Sequence, residues 1–366
     1  MDHKKSGPTR RGVIKTGTLA AGVSLFNINH AWSQDVTYDG GVFDAEGGTL
    51  NIGEWGGFWE ENQRKLLIDQ FERDFNCKIQ YDSTWPWFPK FVANGPKNPP
   101  LTLTNWNLPE MFKTHAAGDY FMDVEEIRAN VPNTAKLWDF SMRTGIGVTW
   151  AFSRYCYIYR KDGPAVPADF KDFWLDAFAG RRGTYITSNT LQMCFFLGAC
   201  KAFGSGETDF EAGFEAMRAA MPLKISDFTG NMTTLVTRGE LDIAVHHDGE
   251  VLIQKEQGVP VDLMYWDNYN AILTQTKTIS RYAEPGQKRL AFALLNRFLD
   301  AEYQSNFADV FWMRPTNSES VLPEKMVNLG VANTADATDT LHIPAWAAYL
   351  EQEDHIVETV NEIFGS

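Results

Sequence analysis

Apolar and polar positions change period along this chain in a way that divides it into elements. Thr49 to Trp55 alternates and then meets Gly56-Gly57, which predicts a strand ended by a turn. From about Trp59 to Phe75 the apolar residues Leu66, Leu67, Phe71 and Phe75 share one helical face. Glu60/Arg64 and Glu61/Lys65 stand as i,i+4 pairs on the other. Cys77 to Tyr81 alternates again. Strand, helix and strand in this order form a βαβ unit, and its parallel sheet places a crevice at the C-terminal ends of the strands.

After an aromatic, Pro-rich loop (Ser83 to Pro100) come a short strand, Leu101 to Thr104, and a helix near Pro109 to Ala117. Gly145 to Tyr159 is a β-type run dense in aromatics, long enough to pass from one domain into another. A second α/β set follows. Its expected elements are a helix Phe170 to Phe178, a strand Gly183 to Thr187, and an apolar helix Leu191 to Phe203 with Ser188-Asn189-Thr190 as N-cap candidates. Phe210, Phe214, Met217 and Met221 mark another helix. Short strands near Lys224 to Asp227, Asp242 to Val245 and Val261 to Tyr265 come next, with a helix near Met232 to Arg238 between the first two. Extended chain at Asn270 to Thr276 precedes the amphipathic helix Gln287 to Leu299.

Composition agrees with two packed domains: 366 residues, 44% hydrophobic and 22% charged. The net charge of −14 is unevenly placed. The first 33 residues hold Lys4, Lys5, Arg10, Arg11 and Lys15 against Asp2, so the remainder carries −18. A body this acidic repels nucleic acid and anionic lipid, which puts both at the bottom of the list of partners, and no nucleic-acid partner is expected. The basic start, Thr9-Arg10-Arg11-Gly12-Val13-Ile14-Lys15 ahead of a diluted apolar run to Phe26, resembles a twin-arginine export signal, with cleavage expected near Ala31-Trp32-Ser33. The apolar run falls short of the roughly 20 residues that span a bilayer. The expected location is the periplasm, reached through the twin-arginine export machinery.

Four cysteines (Cys77, Cys156, Cys194, Cys200) make no metal or redox spacing, and buried free thiols are expected. Nucleotide-cradling glycine motifs and the G-x-S-x-G nucleophile turn are absent from the sequence. What stands out is the placing of aromatic and polar residues at predicted strand ends. Glu54-Trp55-Gly56-Gly57 follows the first strand and Asn105-Trp106-Asn107 the third; each reads as a pocket wall or as a turn with a core Trp. His246-His247-Asp248-Gly249-Glu250 follows the strand at Asp242. Continued extended geometry would put His246, Asp248 and Glu250 on one side as a metal face, and the alternative is a polar loop touching a ligand through one or two of them. Tyr265-Trp266-Asp267-Asn268-Tyr269 reads as a pocket wall or a turn.

Thr237-Arg238-Gly239-Glu240-Leu241-Asp242-Ile243-Ala244, then Gly249, then Gly258-Val259-Pro260-Val261, together with Ala291 to Ala308 and Arg314-Pro315-Thr316-Asn317, resembles the type 1 extracellular solute-binding proteins, the receptors of ABC importers. That resemblance implies an α/β, two-lobed periplasmic-binding-protein fold (type II), each lobe a mixed sheet flanked by helices and joined by crossing hinge strands. Implied boundaries are a signal over 1–33, an N-terminal lobe of 35–150 plus 276–318, and a C-terminal lobe of 151–275 plus 319–366. Hinges are implied near Trp150 to Ser153 and Leu273 to Thr276, and the aromatics of Tyr265 to Tyr269 are implied to form a turn. The chain most resembles the polyamine-binding branch, which implies a ligand site of Glu54, Trp55, Trp106, Trp150, Ser188, Asn189, His247, Asp248, Glu250 and Gln275. It departs where that branch has Trp-Asn-Gly, replaced by His247-Asp248-Gly249, and where it has Trp-x-Asp, replaced by Leu273 and Gln275; Asp248 and Glu250 then supply the lost charge. The resulting expectation is a monomeric, non-enzymatic receptor without a cofactor, passing a polyamine or related amine to a membrane permease. Alternatives are a metal or metal-chelate receptor using His246, Asp248 and Glu250, and a twin-arginine-exported metal-dependent enzyme.

Overall fold

The computed structural model describes residues 36–366 with the exception of Asp267, and the expected export signal lies outside these described residues. Ten strands run in the order β1 (Gly48–Gly53), β2 (Cys77–Asp82), β3 (Leu103–Trp106), β4 (Val148–Arg160), β5 (Arg182–Tyr185), β6 (Leu223–Ser226), β7 (Ile243–His247), β8 (Val261–Tyr265), β9 (Ile272–Ile279) and β10 (Arg314–Pro315). Their pairing follows the path β2-β1-β3-β9-β4-β7-β5-β6, with β8 and β10 also on β4. Both ends of the path are parallel: β1 with β2 and β3, and β5 with β6 and β7. The middle is antiparallel, so the expected mixed α/β class holds.

The long aromatic run is the joint. The first part of β4 pairs with β9 (Ala151 opposite Gln275, Ser153 opposite Leu273), and the second part with β7 and β8 (Tyr155 opposite His247, Cys156 opposite Tyr265). One strand thus belongs to two sheet halves, and its register shifts between Thr149 and Ala151. Such a bulge bends a strand and strengthens its twist.

The helical periodicity of Trp59 to Phe75 becomes two α-helices, Phe58–Gln63 and Asp69–Phe75, around a π-helical turn Arg64–Ile68. The wider turn rotates the following face, so Ile68 joins Leu67, Phe71 and Phe75 in the core while Leu66 is only half-buried. The Glu60–Arg64 pair closes at 3.1 Å. Asn189 caps the helix Thr190–Phe203, its side-chain oxygen accepting from the Leu191 amide at 2.9 Å. The helix expected at Phe170 to Phe178 is instead two 3-10 turns, Phe170–Trp174 and Asp176–Phe178, because Leu175 between them takes an extended ψ of 137°.

One core collects Leu50, Ile52, Phe71, Phe75 and Ile79 under Phe298 and Phe307. The other runs from Trp87, Phe91 and Trp106 through Tyr157, Phe195 and Trp266 to Trp346. Trp266 and Tyr269 are buried and stack within this core. All four cysteines are buried free thiols. Among the described residues no helix is long and apolar enough to cross a membrane.

Candidate ligand crevice

Three polar side-chain atoms at strand ends are buried without a partner: Asn107 Oδ1, just after β3, Tyr185 Oη, the last residue of β5, and His247 Nδ1, the last of β7. The β5–β7 register pairs Gly183 with Ala244, which brings Tyr185 level with His246, one residue from His247. Each such atom costs about 1–3 kcal/mol unless something hydrogen-bonds it. Their common location is the C-terminal edge of parallel strands, where open α/β sheets hold ligands.

A cavity of about 390 Å³ lies between the helix after β3 and the residues that follow β5, and none of these three side chains lines it. Pro109, Glu110 and Lys113 of the helix after β3 form one wall, Thr187, Ser188 and Met193 from the β5 side another, and Glu353 and Asp354 of the C-terminal helix a third. Trp85 and Phe88 supply flat apolar surface. Glu110 accepts from the Trp87 and Phe88 amides at 3.1 and 3.2 Å and from the Trp85 indole. Burial nevertheless pushes its carboxyl above the usual carboxylate range, outweighing those bonds and nearby Lys113. Lys113 reaches Glu353 at 2.6 Å, joining the helix after β3 to the C-terminal helix.

Of the residues expected at the site, Trp55, Trp150 and Gln275 come together through Asn105. The Trp55 indole donates to Gln275 Oε1 at 2.8 Å, Asn105 donates to the same oxygen at 2.6 Å, and the Trp150 indole donates to Asn105 Oδ1 at 2.9 Å. Trp55 is half-buried and lies 5.0 Å from Trp87. Trp106 and Trp150, both expected in the ligand site, are fully buried and line no part of this cavity. The reason is strand length. β3 runs two residues beyond Thr104, so Trp106 pairs with Thr276 inside the sheet, packs on Trp87 and donates to Thr278 at 2.8 Å. Trp150 packs among Trp59, Phe298 and Phe307.

Two of the three carboxylates given ligand roles, Glu54 and Asp248, are already engaged. Glu54 is fully buried against the Lys277 ammonium, which also sits over the Phe298 ring at 3.9 Å and the Trp150 ring at 5.1 Å. Burial lowers the Lys277 pKa, and Glu54 opposes that shift. Asp248 is buried against Arg314 and accepts from the Arg154 amide and the Tyr265 hydroxyl, both at 3.0 Å. Asn189 is used in capping and in a bond to the Asp227 carbonyl at 3.0 Å.

The metal face expected from His246, Asp248 and Glu250 does not form. β7 extends through His247, and a helix, Asp248–Glu256, begins at the next residue, so strand alternation ends where it was needed. His246 turns inward to Thr233 at 3.1 Å, and burial drives its pKa down to about 3. Burial also lowers the His247 pKa against the opposing fields of Glu250 and Asp248. No group of three metal-ligating side chains occurs among the described residues. Glu250 is half-buried near Tyr185, whose hydroxyl it helps to hold in the neutral form after burial itself.

Sequence reasoning missed Glu110, Trp85, Glu353 and Asp354, which line the cavity, and the unpartnered Tyr185 hydroxyl. A signal did exist for Trp85 and Glu110, an indole in a Pro-rich loop and an acid in the first turn of a helix after a strand. Tyr185 and the partners Lys277 and Arg314 carried none.

No family model matches the chain, and no curated protein matches it. Solved structures do. An ABC transporter protein from Clostridium perfringens superposes with a TM-score of 0.72 at 17% identity, covering 86% of this chain and 99% of that one. An ABC transporter substrate-binding protein from Bradyrhizobium japonicum gives 0.68 at 16% identity, covering 86% and 99%. The spermidine/putrescine ABC transporter substrate-binding protein PotD from Streptococcus pneumoniae gives 0.65 at 13% identity, with the same coverage. The fold is that of the type II periplasmic binding proteins.

Proposed function

We propose that this chain is the solute-binding component of an ABC importer and that it captures a small amine in the crevice at the strand ends. The observation that carries the reading is a cavity with the aromatic walls Trp85 and Phe88 and the carboxylates Glu110 and Asp354, with Glu353 shared with Lys113. Aromatic faces and carboxylates both favour an ammonium, and both act more strongly when water is excluded. The likeness to substrate-binding proteins, one of them a spermidine/putrescine binder, supports the same class. Glu54 and Asp248 take no part in holding the ammonium, because Lys277 and Arg314 occupy them.

In this reading the chain has an N-terminal lobe of 35–150 plus 276–318 and a C-terminal lobe of 151–275 plus 319–366, moving about β4 and β9. Closure follows from a ligand that touches both lobes only in the closed state and so shifts the equilibrium toward it. The Lys113–Glu353 pair would break on opening. Residues 1–33 direct export by the twin-arginine route, the mature protein works in the periplasm as a monomer without enzymatic activity, and a membrane permease takes the solute from it.

A thermal-shift and calorimetric screen with putrescine, spermidine, amino acids and sugars tests the proposal. A ligand at 100 times its dissociation constant adds about 2.7 kcal/mol, a rise of several degrees. Amines should give it. A rise with sugars or amino acids alone would overturn the amine assignment and leave the receptor standing; no rise with any solute would count against the receptor itself.

A further inference from the structure

A second cavity, of about 560 Å³, opens beside β4. It shares no lining residue with the crevice. Met193 lines the crevice and Lys201 the second cavity, and both lie on the helix Thr190–Phe203. Eight residues at 1.5 Å each separate them by about 12 Å along the axis. Phe152 and Arg154 of β4 and Arg314 of β10 form its floor, and Thr340 and His342 of the C-terminal segment its edge.

We propose that this cavity is a second ligand site and that it takes a small hydroxylated organic anion, bearing a carboxylate or a phosphoryl group. Three observations converge. Its lining carries Lys201 and Arg314, beside Arg154, which has a partner of its own, and His342, with no carboxylate among the described lining residues. Asp248 and Glu207, which engage Arg314 and His342, are not part of the lining, so an occupant meets the Arg314 guanidinium before the carboxylate paired with it. Lys201 makes no ion pair among the described residues; its ammonium lies over the Tyr269 ring at 5.2 Å. Finally, Asn270 fixes the orientation of its amide by donating to the Thr340 carbonyl at 3.2 Å, since a carbonyl can only accept. That leaves Asn270 Oδ1 as a buried acceptor without a partner. Cations suit the anionic group, and the orphan acceptor suits a hydroxyl on the same molecule.

Calorimetric titration of the full chain with glycerol 3-phosphate, citrate and inorganic phosphate tests this. Saturable 1:1 binding is expected for glycerol 3-phosphate or citrate, tighter than for inorganic phosphate, which lacks a separate hydroxyl. The affinity should fall with ionic strength. Lys201→Gln, at an exposed position, should weaken it tenfold or more, while Lys201→Arg should keep it within threefold. Saturating putrescine should not displace the anion. Absence of saturable binding by all three probes, indifference to Lys201→Gln, or displacement by putrescine would each overturn the proposal. The first two outcomes leave the amine crevice untouched.

Discussion

Lys277→Met would test whether the Glu54–Lys277 pair is the buried, consumed pair that removes Glu54 from ligand recognition. Both side chains are essentially inaccessible, at 1% and 0% exposure. Without the ammonium, Glu54 keeps only the Trp55 amide, which donates to its other oxygen at 3.1 Å. Removing one partner of a buried pair costs about 3–5 kcal/mol, because the remaining charge stays desolvated. At about 2.1 cal/mol/K per residue, a chain of this size then melts about 4–7 °C lower. Methionine keeps most of the lysine stem against Phe298 and Trp150, so lost packing contributes little. The double variant Glu54→Gln/Lys277→Met removes both charges and keeps an acceptor for the Trp55 amide, so it should return to within about 1 kcal/mol of the parent. Urea unfolding of the parent, both single variants and the double variant closes the cycle. A Lys277→Met loss below about 1 kcal/mol, or a double variant as unstable as the single, would show that Glu54 is solvated or otherwise partnered, and would return it to the site.

Three further outcomes are expected. The His246 pKa of about 3, against 6.5 in the unfolded chain, means that the unfolded state binds the extra proton between those values. Stability is therefore lost as pH falls through this window, and His246→Asn should reduce the slope by about 1.4 kcal/mol per pH unit; an unchanged acid limb would contradict the burial argument. Trp85, 46% exposed at the crevice, should lose little stability on Trp85→Ala but weaken amine binding about tenfold, roughly 1.4 kcal/mol; equal calorimetric affinity would remove it from the site. Burial raises the thiol pKa of Cys77 to about 11 and of Cys200 to about 12, so a thiol reagent should find no fast-reacting group in the native protein and four groups after unfolding; fewer than four would reveal a disulfide.

Much of the architecture was legible in the sequence, and the errors at the site share one origin. β8 lies where alternation put it, and the Asn189 cap was visible as Ser188-Asn189-Thr190. β3 and β7 each run two residues beyond their predicted ends, to Trp106 and His247. Those residues changed the site, taking Trp106 into the core and ending the extended chain at the start of the cluster once read as a metal face. Strand ends are set by the neighbouring strand: Asn105 and Trp106 persist as strand because Lys277 and Thr276 stand opposite them.

The sequence alone determined the order of most elements, the α/β class and the burial of the thiols. These follow from period, capping and composition, which act among residues a few positions apart. Only the tertiary structure decided which carboxylates are paired inside the protein and which face a cavity. Glu54 is neutralised by a lysine 223 positions away and Asp248 by an arginine 66 positions away, while Glu110, Glu353 and Asp354 gather at one cavity. The availability of a charge depends on what the folded chain places within about 4 Å of it and on how much water it removes, and neither is a property of local sequence.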